Sequence, residues 1–302
     1  MPERGSSTWK VYGFAAAIAV LASILVWFLL GRVAAPDAAQ PDRVLTQVLN
    51  RGTIRAGYVS YPPATIVDPA TGAVSGIFPE LLREIGRATS LKVEFTREVG
   101  YADMIAGLQS GKYDIVGGVW ANPDRAKATT ISIPVYYTGL RVWVRPAETR
   151  FTPVDSWSSL NRSEVRIAAI DGSTPMTVIR EQFPNATLKS YPNQTSEAQL
   201  FLDVVQNKAD VFFADPSQGA QFLAANPGKL KDISGGHPLR VFPSVYLMPA
   251  GEHQMQTMVD AALHDLISSG TADRIIRKYE GTPGAFMRPQ LPYQEQVAER
   301  PK

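Results

Sequence analysis

From residue 45 to residue 281 the chain alternates between two hydrophobic periods, one helical and one extended. Leu45, Val48 and Leu49 fall at i, i+3 and i+4 and predict a short helix before Arg51-Gly52. Thr53 to Gly57 predicts the first strand. Phe78, Leu81, Leu82 and Ile85 line one face of a helix. Leu91 to Phe95 alternates with period two, as a half-buried strand does. Met104, Ile105 and Leu108 predict a helix up to about Ser110, stopped by a left-handed Gly111. Asp114 to Val116 is a short apolar strand, and Gly117-Gly118 admits close backbone approach. Arg125 follows in a loop at the strand's carboxyl end, where open α/β sheets bind their ligands. Strand, helix, strand, helix, strand in this order predicts a parallel sheet with right-handed crossovers.

Leu140 to Val144 is the next strand, and Phe151 to Asn161 reads as loop and a helical turn. Val165 to Ile170 opens a second α/β unit, followed by Asp171-Gly172-Ser173-Thr174-Pro175 and a helix bearing Met176, Ile179 and Phe183. A Ser or Thr cap followed by Pro is a helix-start signal. Such a start offers backbone N–H groups to an anion. Thr195-Ser196-Glu197 caps another helix, with Leu200, Phe201, Val204 and Val205 inside. Asn207-Lys208-Ala209-Asp210 then echoes Gly111-Lys112-Tyr113-Asp114: a left-handed stop, Lys, a variable residue, Asp, then a strand. Val241 to Leu247 reads as a return strand, and Met255, Met258, Val259, Ala262, Leu263 and Leu266 form a core stripe. A last helix carries Ile275 and Ile276 and ends at Gly281. From Thr282 onward Pro, Gln and charge predict a mobile tail.

The N-terminal pattern is different. From Phe14 to Leu30 every residue is apolar except Ser23, and Val11 to Gly31 approaches the ~20 residues needed to span a bilayer. Lys10 and Arg32 bracket it, and Arg4 with Lys10 places the N-terminus inside. Two readings stand: an uncleaved inner-membrane anchor, or an export signal cut near Val33-Ala34-Ala35 or Ala38-Ala39. Both put the bulk of the chain outside the cytoplasmic membrane. The expected divisions are 1–10 cytoplasmic, 11–31 membrane or signal, 32–44 linker, 45–139 first lobe, 140–240 second lobe, 241–281 return to the first, and 282–302 tail.

Composition narrows the classes. With 302 residues and 45% hydrophobic positions the chain can build two lobes with real cores. A net charge of +2 gives no electrostatic case for nucleic acid. The absence of cysteine excludes disulfides, thiolate metal sites and a cysteine nucleophile. His237, His253 and His264 lack metal-ligand spacing, and no phosphate loop or Gly-x-Ser-x-Gly occurs, so no cofactor or metal is expected.

The ordered motifs resemble the extracellular solute-binding proteins of the polar amino acid family. There a helix ends in Ser-Gly-Lys, a strand follows, and a loop ending in Pro-Glu-Arg carries an arginine that grips a ligand carboxylate. Here Ser110-Gly111-Lys112 is followed by Asn122-Pro123-Asp124-Arg125, and the family's Ser-x-Pro-Tyr segment appears as Ser132-Ile133-Pro134-Val135-Tyr136. The resemblance runs from about Val48 to Gly281. It implies a two-lobed type II periplasmic binding protein fold of the α/β class, each lobe a sheet flanked by helices, with two crossover strands as hinge. It also implies capture of a small carboxylate, an amino acid, and delivery to the permease of an ABC transporter.

Carried residue by residue, the resemblance gives Arg125 and the Gly172, Ser173, Thr174 helix start the α-carboxylate, and Asp215 the α-amino group. Tyr58, Tyr61 and Tyr101 would wall the cleft. Each has a packing alternative: a surface arginine, a plain helix cap, a cap for the helix that Pro216 starts. Three positions depart from the family. Trp120 stands where a ligand-bonding Ser or Thr is common, Phe78 where Asp is common, and Ala64 where Phe is common. Trp120 then either stacks on the ligand or reshapes the pocket. Relatives include a cyclohexadienyl dehydratase and sensor domains. A dehydratase would need a carboxyl group facing the ligand with a raised pKa. No catalytic set stands out in the sequence, and the chain is expected to be a binder.

Overall fold

The computed structural model describes residues 43–151 and 157–289. Helix α1 (Arg43–Arg51) starts inside the expected linker and buries Val48, while Leu49 stays exposed. It leads into β1 (Thr53–Tyr58) and a small hairpin, β2 (Ile66–Val67) with β3 (Val74–Ser75). The hairpin turn is closed by the Asp68 carboxylate, which accepts from the Ala70 N–H at 2.8 Å and the Thr71 N–H at 3.0 Å. Then come α2 (Ile77–Ala88), β4 (Lys92–Glu98), α3 (Met104–Gln109), β5 (Ile115–Trp120), α4 (Pro123–Ala128), β6 (Thr129–Ile131) and the long β7 (Tyr136–Val144).

The second lobe holds β8 (Arg166–Ile170), α5 (Thr174–Gln182), β9 (Thr187–Tyr191), α6 (Glu197–Val205), β10 (Val211–Ala214), α7 (Pro216–Ala225) and β11 (Lys231–Asp232). The chain returns through β12 (Arg240–Pro249) to α8 (His253–Ser268) and α9 (Thr271–Tyr279).

The strands follow the order β4-β1-β5-β12-β7-β10-β8-β9, with β6 paired to β12 and β11 to β7. In the first lobe β1 runs parallel to both β4 and β5, as the alternation predicted. In the second, β8 runs parallel to β9 and β10. The lobes meet where β7 and β12 pair antiparallel, Tyr136–Leu140 against Arg240–Ser244. Beyond that seam β12 pairs with β5, and β7 with β10. Each of the two long strands therefore serves both lobes, and rotation about them is the motion the topology permits.

The echoed motif builds the same device twice. In the first lobe the Asp114 N–H donates to the Arg55 carbonyl at 2.8 Å, and the Arg55 N–H donates back to Asp114 Oδ2 at 2.8 Å. In the second, Asp210 and Arg166 repeat the exchange at 2.8 and 2.9 Å. The stops before them, Gly111 and Asn207, both have positive φ. Arg51 and Arg55 pair with Asp114, and Arg145, Arg150 and Arg166 with Asp210. Burial alone would raise the Asp210 carboxyl, yet bonds from these arginines hold it well below the usual carboxylate range.

One expectation changes here. The mobile tail was expected from 282, but Ala285 and Phe286 are buried, and Phe286 packs on Tyr136 with ring centroids 4.6 Å apart. Met287 exchanges backbone bonds with Tyr137 at 2.7 and 2.8 Å, and Arg288 pairs with Asp273 and Glu280. One buried aromatic ring, a backbone pair and two ion pairs outweigh the polar composition of the segment. The predicted membrane segment, 11–31, lies outside the described residues. Among the described residues no helix is long and apolar enough to cross a membrane.

Candidate functional site

Strand β5 ends at Trp120, and Asn122 turns the chain into α4 by accepting the Arg125 N–H at 2.9 Å. Arg125 is thus on a short capped helix, not in the loop that the sequence predicted. The cap fixes its direction: the side chain points inward and is 4% exposed. One guanidinium nitrogen donates to the Trp120 carbonyl, and Nη2 reaches the Gly172 carbonyl of the other lobe at 3.4 Å. Burial pushes its pKa down to about 10. Among the described residues no carboxylate pairs with it.

Gly172, Ser173 and Thr174 face it from the second lobe. Gly172 has φ +74, and a Cβ there would lie 2.6 Å from the Ala102 nitrogen, so two backbones touch across the cleft. Ser173 caps α5, accepting the Met176 N–H at 3.4 Å. Its own N–H goes to the Ile170 carbonyl. Pro175 has no N–H. Of the N–H groups that the sequence offered to an anion, that of Ser173 is committed, and that of Thr174, which lines the cavity, is available to a ligand. The Thr174 hydroxyl accepts from Asn122 Nδ2 at 3.3 Å, again across the cleft.

A residue that the sequence reading treated only as a helix start stands in the same cavity. Glu197, the first residue of α6, is 8% exposed, and its Oε1 accepts the Tyr101 hydroxyl at 3.0 Å. Burial pushes its carboxyl up to about 7, against the lowering effect of its own N–H and of Tyr101. No cation pairs with it among the described residues. The Tyr101 hydroxyl is itself held well above its usual value by burial and then by the Glu197 charge. The one available sequence signal was a carboxylate just after a Thr-Ser cap.

Asp215 is committed elsewhere. It caps α7, its Oδ1 accepting the Ser217 hydroxyl and, at 3.0 Å, the Gln218 N–H. Its Oδ2 accepts the Tyr61 hydroxyl at 2.7 Å. Burial raises its carboxyl in spite of these bonds. Asp215 does not line the cavity, whereas Tyr61 does. Tyr58 also falls away from it: its ring meets Phe95 edge-on, 6.2 Å between centroids, beyond the cavity wall.

The cavity is walled by Tyr61, Tyr101, Trp120, Arg125, Ser173, Thr174 and Glu197, with Ile170, Phe212 and Phe213 as an apolar floor. Trp120 stacks on Phe242 at 5.2 Å and 7° and meets Tyr61 edge-on at 6.5 Å. Its ring is held by the protein and forms one wall. The other two departures are core packing. Phe78 is 1% exposed and fills the space that Gly117 and Gly118 leave beside Tyr246, and Ala64 is equally buried. The close approach those glycines allow is therefore to aromatic rings of the first lobe. The lobes are closed on each other. Besides the contacts above, Asn193 Nδ2 donates to Asp103 at 2.7 Å, and Gln218 Nε2 to the Pro62 carbonyl.

A two-lobed sheet hinged on two strands, with a cavity between the lobes, is the type II periplasmic binding fold. The chain belongs to the bacterial extracellular solute-binding proteins, family 3, which match residues 54–282. It is similar to the L-cystine-binding protein TcyA of Bacillus subtilis (strain 168), 21% identical over 248 residues, 81% of this chain and 87% of that protein. It is similar as well to the ABC transporter glutamine-binding protein GlnH of the same organism, 23% identical over 216 residues, 70% of this chain and 75% of that one. Among solved structures it resembles the ancestral amino acid-binding protein AncCDT-1, a precursor of cyclohexadienyl dehydratase, with TM-score 0.66 and 24% identity over 78% of this chain and 98% of that one. That likeness carries the fold. The named relatives are binding proteins, which supports a non-enzyme reading.

Proposed function

We propose that the cleft captures a free amino acid by closing on both of its charges. One observation carries this reading: a buried guanidinium, Arg125, and a buried carboxyl, Glu197, line one cavity, each without an ionic partner among the described residues. Burying such groups unpaired costs several kcal/mol. A ligand with a carboxylate and an ammonium supplies both missing partners at once. Arg125 and the Thr174 N–H take the carboxylate, Glu197 takes the ammonium, and Trp120, Tyr61 and Tyr101 shape the space between. In this reading the ammonium partner is Glu197 and not Asp215, whose oxygens are already used by a cap and by Tyr61.

Closure follows from the same arithmetic. Moving a cleft from 1:99 to 99:1 closed takes ~5.5 kcal/mol of differential binding. A hydrogen bond to a charged group contributes ~1.5–3 kcal/mol, so three or four of them, made only when the lobes meet, suffice. The closed form is then read by an ABC transporter permease in the inner membrane. Residues 11–31 serve as the anchor that keeps the binder near it, raising its effective concentration, or as the signal that exports it to the periplasm.

The test is calorimetric titration of the purified protein with alanine, propionate and ethylamine. Alanine alone is expected to bind with measurable heat. Propionate binding as tightly as alanine would remove the ammonium from the reading. Delivery is checked separately, by uptake of the labelled ligand in cells with and without the gene.

A further inference from the structure

The cavity between Arg125 and Glu197 is small. Water-sized spheres can place their centres in about 40 Å³ of it. One water takes ~10–15 Å³ on that measure, so the space holds roughly three waters, about the common part of an α-amino acid. Beside it, sharing Tyr101 and Glu197 as walls, runs a groove of about 570 Å³ on the same measure. Its walls come from both lobes. Five amide side chains line it, Asn193, Gln194, Gln218, Gln221 and Asn226, and neither Lys nor Arg does. Glu98 is its one other carboxylate. Two of the cross-cleft bonds, Asn193 to Asp103 and Gln218 to the Pro62 carbonyl, hold these walls together when the lobes close.

Resting on the zwitterion reading, we propose that this groove is the second half of the ligand site. It receives the side chain of an amino acid that carries an extended, uncharged, amide-bearing substituent. The head group is fixed between Arg125 and Glu197, and the side chain leaves past Tyr101. Amide side chains both donate and accept, so they match a neutral amide better than a charged or an apolar end. The groove has both walls only in the closed form. A ligand that fills it adds contacts which stabilise closure.

Calorimetry on the full chain tests this with alanine, norleucine, lysine and Nε-acetyl-lysine. Nε-acetyl-lysine is expected to bind at least about tenfold tighter than alanine, and tighter than lysine or norleucine. Ala198→Trp, on the exposed groove wall, should erase that advantage and leave alanine unchanged. Gln221→Trp is a second obstruction should the first variant lose alanine as well. Equal affinities for alanine and Nε-acetyl-lysine, a preference for lysine, or an advantage that survives both obstructions would overturn the groove assignment while alanine binding keeps the zwitterion site. No binding by any of the four in the unaltered protein would overturn both.

Discussion

Tyr101 of the first lobe and Glu197 of the second meet across the cleft, the tyrosine hydroxyl donating to Glu197 Oε1 at 3.0 Å. The bond ties closure to a carboxyl group whose charge the closed cavity does not otherwise satisfy. Glu197→Gln keeps the Tyr101 contact and removes the charge. We expect amino acid affinity to fall ~100-fold, in line with the cost of leaving a buried ammonium unpaired. A variant that binds alanine normally would release Glu197 from the site.

The same group gives a pH dependence with a definite sign. In the folded, ligand-free protein its carboxyl is pushed from 4.5 up to about 7. The folded state then binds more protons than the unfolded one between those values, so stability is greatest below the lower value and falls as pH rises through the upper. The loss is at most on the order of 3 kcal/mol, and opening the cleft relieves it. Ligand affinity runs the opposite way. An ammonium needs the ionised carboxylate, so affinity should fall by about tenfold per unit below pH 7. Thermal melts and titrations across that window check both slopes. Glu197→Gln should flatten both.

Arg125→Leu removes a guanidinium that is buried and lacks an anion among the described residues. The ligand-free protein should keep its fold, because desolvating that charge costs more than two carbonyl contacts return. Binding of any carboxylate should drop beyond detection. Circular dichroism reads the first outcome and calorimetry the second.

Gly172→Ala places a Cβ where the Ala102 backbone already stands. The lobes must then stay apart by a fraction of an ångström. We expect affinity for every ligand to fall at least about tenfold, with a modest fall in the melting temperature of the ligand-free protein, because alanine is strained at φ +74. An unaltered affinity would show that the two backbones do not meet in the bound form.

Asp215→Asn retains a good helix cap and should weaken amino acid binding less than Glu197→Gln does. Asp215→Ala should cost ~1 kcal/mol through the lost cap. Equal losses of affinity in Asp215→Asn and Glu197→Gln would return the ammonium to Asp215.

The sequence alone determined what depends on near neighbours. Period and turn chemistry placed most of the helices and strands, though not α4, β6, β9 or β11, and the paired stops before Asp114 and Asp210 announced a device used twice. Asn122-Pro123-Asp124-Arg125 marked the arginine through its resemblance to the family's Pro-Glu-Arg loop, and the cap that aims it lies three residues away. Tertiary structure decided what depends on partners far along the chain. Tyr101 and Glu197 are 96 positions apart, Tyr61 and Asp215 are 154 apart, and no local pattern encodes which pair encloses the cavity. Tyr58 and Tyr61 look alike in sequence, yet one packs on Phe95 and the other bonds Asp215. Phe286 lies in a stretch whose composition predicts mobility, and it is ordered by a ring on the hinge strand. A short segment carries its own periodicity, whereas burial and hydrogen-bond competition are settled only when both lobes are present.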